Sequence, residues 1–312
     1  MKKSYGIHHI SALASDPKRI VDFYTKVLGL RMVKKSVNQD DVETYHLYFA
    51  NRSGEPGTVM TYFPHPNSRQ GMAGKGLATE VRFEIPKAAM AFWLNRLHEH
   101  GVQVETPRIH FGETHLRFSD PDGLTLELVG TGYDSEGDLW VSDEISAEHA
   151  IRGFHSATIW AGDPDKTIAL LKDTFGFHVE ARENNRIRLS TGQSGIGQVI
   201  EVLHQPDLNM KRGVMGAGTV HHIAFRAGSD EHEVAMRSEL EAQGYHLTPV
   251  IDRYYFHSVY FREPSGVIFE IATDEPGFAV DEDLDQLGTS LKLPPFLEDQ
   301  RARIEAALPP IE

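Results

Sequence analysis

Cysteine is absent from all 312 residues, which removes disulfides and thiolate ligands and leaves only His, Asp or Glu to hold a metal. Also missing is any apolar run near the roughly 20 residues that a membrane-spanning helix requires. Positive charge is scarce: 31 Lys and Arg stand against 45 Asp and Glu, a formal net charge of -14. Nucleic-acid binding rests on a net basic face, so this balance argues against such a partner. The opening MKKSYGIHHI enters a strand-like segment without the apolar stretch of a secretory signal, and a cytoplasmic protein with no membrane partner is expected. What is present is a 40% hydrophobic content, enough for a sizeable core, and 17 histidines, enough for nitrogen-ligated metal chemistry.

One pattern recurs four times: an alternating strand, an amphipathic helix closed by Gly, then further strands. The helices start near Asp16, Pro86, Asp163 and Asp230 and end at Gly29, Gly101, Gly176 and Gly244, where a left-handed cap is expected. Each unit reads as β-α-β-β-β, too small to bury both faces of its own sheet, so the units must close in pairs. The fold class expected is α+β, four such modules forming two paired domains with cupped mixed sheets. The boundaries are an N-terminal domain over 5–130 (modules 5–65 and 76–130), a linker over 131–150, a C-terminal domain over 151–273 (modules 151–205 and 218–273) and a tail over 274–312. The tail should pack on the body, with a short helix from Leu297.

Counting 20 to 22 residues back from each helix-ending Gly gives a shared first-strand slot holding His9, Glu80, His155 and His222. Four residues after Gly57, Gly123, Gly197 and Gly266 a last-strand slot holds Thr61, Glu127, Glu201 and Glu270. Two combinations have the chemistry of a metal centre. Modules three and four offer His155, Glu201, His222 and Glu270, suited to a redox-inert Lewis acid. Modules one and four offer His9, His222 and Glu270 with Thr61 in the fourth slot, a 2-His-1-carboxylate face that leaves positions open for substrate and O2. Modules one and two supply only one nitrogen ligand, and with Glu80 and Glu127 the second module reads as a degenerate site.

The repeated units, together with GIHHISAL, TVHHIAFR, DPDGLTLEL and EPSGVIFEI, resemble the vicinal oxygen chelate superfamily of glyoxalases, bleomycin-resistance proteins and extradiol dioxygenases. Nearly the whole chain takes part. The resemblance is strongest to the ring-cleaving branch of hydroquinone 1,2-dioxygenase type, associated with aromatic catabolism and quinone detoxification. It implies Fe(II), with Mn(II) admitted by the same ligands, held by His9, His222 and Glu270. It also implies pocket roles for His8, for Arg253 in IDRYYF and for Tyr260 in HSVYFREPSG. The partners implied are a small aromatic diol and O2, the diol being opened to a muconic semialdehyde, and a homo-oligomer is compatible with the sequence. The catechol-cleaving pattern would instead replace His9 by His155.

Plainer readings accompany these residues. Tyr260 lies in an alternating strand where an aromatic usually packs. Arg253 has a surface partner next door in Asp252. His8 should point away from His9 in a regular strand, so a role beside it requires a local bend. His110, His115 and His257 read as structural. Two other functions stay open: a glyoxalase or epimerase using His155, Glu201, His222 and Glu270, and a metal-free protein that sequesters a planar ligand.

Overall fold

The computed structural model describes residues 3–132, 137–193, 195–205 and 211–311. Four β-α-β-β-β modules are present. Module one contains β1 (Ile7–Ala14), α1 (Pro17–Asp22), β2 (Arg31–Asn38), β3 (Asp41–Ala50) and β4 (Val59–Pro64). Module two contains β5 (Ala78–Pro86), α2 (Met90–Glu99), β6 (Arg108–His110), β7 (Glu113–Ser119) and β8 (Thr125–Thr131). Module three contains β9 (Gly153–Trp160), α3 (Pro164–Asp173), β10 (His178–Glu183), β11 (Arg186–Ser190) and β12 (Val199–Leu203). Module four contains β13 (Thr219–Arg226), α4 (Asp230–Ala242), β14 (Ile251–Asp252), β15 (His257–Arg262) and β16 (Ile268–Ala272).

Local chemistry explains the helix starts. Asp16 and Asp163 accept hydrogen bonds from the backbone N–H groups of Arg19 and Lys166, each three residues on, and Pro follows each cap. The helix of module two begins later than Asp or Pro spacing implies, because Lys87–Ala89 forms a 3-10 turn before α2. Gly29 adopts φ 65° at its helix end, and a β-carbon there would also collide with Ile145.

The pairing of modules differs from the expected halves. One eight-stranded sheet runs β14-β15-β16-β13-β1-β4-β3-β2, joining modules four and one, and the other runs β10-β11-β12-β9-β5-β8-β7-β6, joining three and two. The expected domains over 5–130 and 151–273 therefore each contribute to both sheets. The physical reason is that a first strand finds its antiparallel partner by edge hydrogen bonding and apolar match, which chain order does not dictate. Residues 133–136 of the expected linker lie outside the described residues. Of the rest, residues 141–144 and 146–148 are exposed, while Ile145 and Ala150 are buried and Trp93 donates to the His149 carbonyl.

Strand alternation sends Ile10, Ile223, Phe225, Phe269 and Ile271 into the core, while His9, Ser11, Thr61, His222 and Glu270 face the inside of the first cup. The tail packs across this sheet as expected. It forms a 3-10 turn over Pro295–Gln300 and α5 (Arg301–Ala307), and Leu293, Leu297 and Ile304 cluster with Val37 of β2.

Glu233 of α4 is an exception to the apolar packing: it is buried, and neither carboxylate oxygen has a hydrogen-bond partner among the described residues. Burial pushes its pKa up to about 7, against the pull of nearby His257. The folded chain thus keeps this proton while the unfolded chain loses it from about pH 4.5, so stability falls between those values and stays low above pH 7. Urea titrations should show Glu233→Gln more stable than the parent by about 2–3 kcal/mol at pH 8 and level with it at pH 4.5. Identical pH profiles for parent and variant would refute this account.

Candidate metal centre

The floor of the first cup is set by two β-bulges. Between β1 and β13 the register slips once at His8 and once at His221, the residues that precede His9 and His222. A bulge re-aims the following side chain and turns the local strand, which is the bend needed for neighbouring histidines to meet. His9 Nδ1 consequently stands 2.8 Å from Nδ1 of His8, and His222 Nδ1 stands 2.7 Å from Nδ1 of His221. Burial, helped by the adjacent ligand histidine, pushes His8 and His221 down to about 3, so both are neutral at pH 7. A neutral ring accepting at Nδ1 holds its neighbour in the tautomer whose Nε2 lone pair points inward.

Those two Nε2 atoms lie 3.2 Å apart and face Glu270, whose Oε2 is 2.8 Å from His222 Nε2 and 3.2 Å from His9 Nε2. Among the described residues, His9, His222 and Glu270 are the group whose ligand atoms converge closely enough for one ion. Burial by itself would raise Glu270, but the facing histidines outweigh it and hold the carboxyl well below its ordinary range. Glu270 is fully buried, yet neither oxygen receives a hydrogen bond from the described residues. A buried carboxylate without donors is costly unless a cation sits against it. The donor set therefore fits a divalent metal, and one oxygen with two imidazole nitrogens suits Fe, Mn or Zn.

Thr61, in the fourth slot, is not part of the group. Its Oγ1 is 2.7 Å from Ser11 Oγ and 3.0 Å from His46 Nε2. The fourth side faces a cavity of about 390 Å³, room for a single substituted ring, bounded by Phe63, Tyr48, Phe256 and Ile268. Arg253 and Tyr260 both line it, with the guanidinium carbon 5.3 Å from the Tyr260 ring and that ring 5.6 Å from His222. Arg253 pairs not with its neighbour Asp252 but with Asp40, 3.0 Å away on the β2–β3 turn of module one. This ion pair crosses the cavity mouth from one module to the other.

His8 does not line the cavity. It is buried against Phe256 and His9, with its Nδ1 on the Nδ1 of His9. His221, the first histidine of TVHHIAFR, does line the cavity. His46 and Tyr48 were missed altogether. His46 Nδ1 is 2.7 Å from the Tyr48 hydroxyl, and the ring is layered between Tyr48 and Phe63 with centroids at 4.0 and 4.2 Å. The signal for them was a polar pair two residues apart in the otherwise apolar TYHLYF.

His155 requires a correction. Register in the second sheet pairs Glu80 with Thr158 and Arg82 with Ser156, as His9 pairs with Ala224 and Ser11 with His222 in the first. Ser156 is thus the counterpart of His222, and His155 is the bulge residue before it. Together with Glu201 it lies in the other sheet, so His155, Glu201, His222 and Glu270 do not share a site. Of the remaining histidines, His257 pairs with Asp230 at 2.7 Å and His115 with Glu127 at 2.7 Å, while His110 stands 3.8 Å from Glu183.

Comparisons place this architecture. The family model described as Glyoxalase/Bleomycin resistance protein/Dioxygenase superfamily matches residues 6–128 and 153–271. MhqO and MhqE of Bacillus subtilis (strain 168), provisionally named ring-cleaving dioxygenases, are each 45% identical, over 100% and 98% of this chain and 98% and 99% of theirs. The chlorohydroquinone/hydroquinone 1,2-dioxygenase of Sphingobium indicum is 33% identical over 94% of this chain and 92% of its own. A crystal structure of a provisionally named dioxygenase from Bacillus subtilis subsp. subtilis str. 168 superposes with a TM-score of 0.95 at 45% identity, covering 100% of this chain and 99% of that one. Glyoxalase I from Zea mays shares the fold alone, with a TM-score of 0.63 at 13% identity over 86% of this chain and 92% of its own. With two family matches that together span most of its length, on the modules that build both cups, the chain belongs to the glyoxalase/bleomycin resistance protein/dioxygenase superfamily.

Proposed function

We propose that the chain is an Fe(II)-dependent dioxygenase that opens the ring of hydroquinone-like diols to a muconic semialdehyde. The observation that carries this reading is the convergence of two inward Nε2 atoms and an undonated, buried carboxylate on one face, beneath a cavity of single-ring size. The names of the relatives that match over nearly the full chain support it. Bound by His9, His222 and Glu270, a redox-active divalent metal supplies electron transfer between the diol and O2; Mn(II) fits the same donors.

The chain's own residues do the rest. Arg253 and Tyr260 donate hydrogen bonds to the oxygens of the bound diol and stabilise charge that develops there. The aromatic walls hold the ring in one orientation. His8 and His221 keep the ligand imidazoles in the productive tautomer.

Anaerobically purified protein reconstituted with Fe(II) should take up one O2 per hydroquinone or methylhydroquinone and yield a product with semialdehyde absorbance. Iron-loaded protein that consumes no O2 with hydroquinone, methylhydroquinone or catechol would refute the reading. The lyase or isomerase alternative needs His155 and Glu201 beside His222 and Glu270, and the two sheets separate those pairs.

A further inference from the structure

The second cup is built on the plan of the first, and its counterpart of the ligand cluster contains a cation from the chain itself. By register, Glu80 stands where His9 does, Ser156 where His222 does, Glu201 where Glu270 does and Glu127 where Thr61 does. At the position of Ser11 stands Arg82, only 1% exposed. Its guanidinium meets all three counterparts of the ligands: Nη2 is 2.5 Å from Glu80, and Nη1 is 3.3 Å from Ser156 and 3.2 Å from Glu201. The same group also donates to Glu127 at 2.6 Å and to Thr158 at 2.8 Å.

Charge explains the arrangement. Glu80, Glu113, Glu127 and Glu201 bring four negative charges into this cup, and Arg82, Arg117, Arg186 and Arg188 pair with them as four positive ones. Three of the arginines reach in from the wall strands β7 and β11, while Arg82 lies at the centre, on the first strand. Without it Glu80, Glu127 and Glu201 would crowd together with too little positive charge, and buried carboxylates in that state either take up protons or draw in a cation.

We propose that Arg82 is the resident cation of the second cup, a covalently attached stand-in for the divalent ion of the first. It holds the cup closed without metal, and its removal converts Glu80, Glu127 and Glu201 into a site for a hard divalent cation of oxygen-ligand preference, such as Mn2+. This assignment does not depend on the reaction carried out in the first cup.

The test compares the full-length parent with Arg82→Ser, which installs the residue of the first cup, and with Arg82→Lys and Arg82→Met, using Mn2+ as the probe. The parent should bind one Mn2+ per chain. R82S should bind two and, when metal-free, melt about 5–10 °C below the metal-free parent. At least half of that loss should return with millimolar Mn2+, beyond any shift Mn2+ causes in the parent. Adding Glu201→Gln to R82S should return the stoichiometry to one and cancel the recovery. R82K, which keeps a cation, should bind one Mn2+ and melt closer to the parent than R82M. Two results would overturn the proposal: R82M as stable as the parent, or R82S with no second ion and no recovery. If R82S fails to fold without metal, refolding yields with and without Mn2+ decide, equal yields counting against it.

Discussion

Alanine at His9 should strip the protein of retained iron and lower O2 uptake with hydroquinone by well over about 100-fold, since removing even an outer-shell partner of a ligand typically costs 10- to 100-fold. Alanine at His155 should change neither by more than a few-fold. The reason is positional: His9 Nε2 is within 3.2 Å of both His222 Nε2 and Glu270 Oε2, whereas His155 sits on the second sheet with its Nε2 toward Glu113. Metal analysis of anaerobically purified variants makes the measurement. His8→Ala and His221→Ala should fall between, retaining the ion about 10- to 100-fold more weakly, because each leaves one ligand imidazole free to take the wrong tautomer. Equal iron in the His9 and His155 variants would remove the centre from the place assigned to it.

The largest loss of stability is expected at a residue outside the cups. Lys34 of β2 is 0% exposed, and its ammonium lies 2.6 Å from Asp281 and 2.5 Å from Glu282, both in the C-terminal tail, and 4.9 Å from the Tyr255 ring centroid. Lys34→Met leaves two acidic groups against an apolar wall and should cost about 3–5 kcal/mol, read as a lower urea midpoint. Limited proteolysis should then cut the tail first. Adding Asp281→Asn and Glu282→Gln should return a large part of that loss, because a neutral cluster no longer needs the ammonium. The same triple variant would remain as unstable as the single one if Lys34 mattered only through packing.

Much of this architecture was legible in the sequence because short-range rules produce it. The glycine that ends each helix and the glycine that opens each last strand mark the module frame, and strand alternation puts His9 and Glu270 on one face. Pairing of modules was harder to read. All four first strands carry similar apolar edges, and the choice of β13 for β1 and β9 for β5 is made by long-range complementarity. The bulges at His8 and His221 are of the same kind, as they exist only once two strands have met. That explains why counting placed His155 in a ligand slot that belongs to Ser156. Asp40 escaped notice because its partner, Arg253, is brought to it by the fold and by nothing local.

The joining of modules one and four also sets an order of events during synthesis. His9 emerges 213 residues before His222, roughly 10–40 s earlier at ordinary elongation rates. Through that interval β1 has no β13 to pair with, while modules two and three, adjacent in the chain, can close on each other through β5 and β9. The arginine-centred cup thus has all its strands available before the last module is made. The cup that takes up metal is completed only when the last module arrives, so a chain stopped short of β16 lacks Glu270 and has no complete ligand set for an ion.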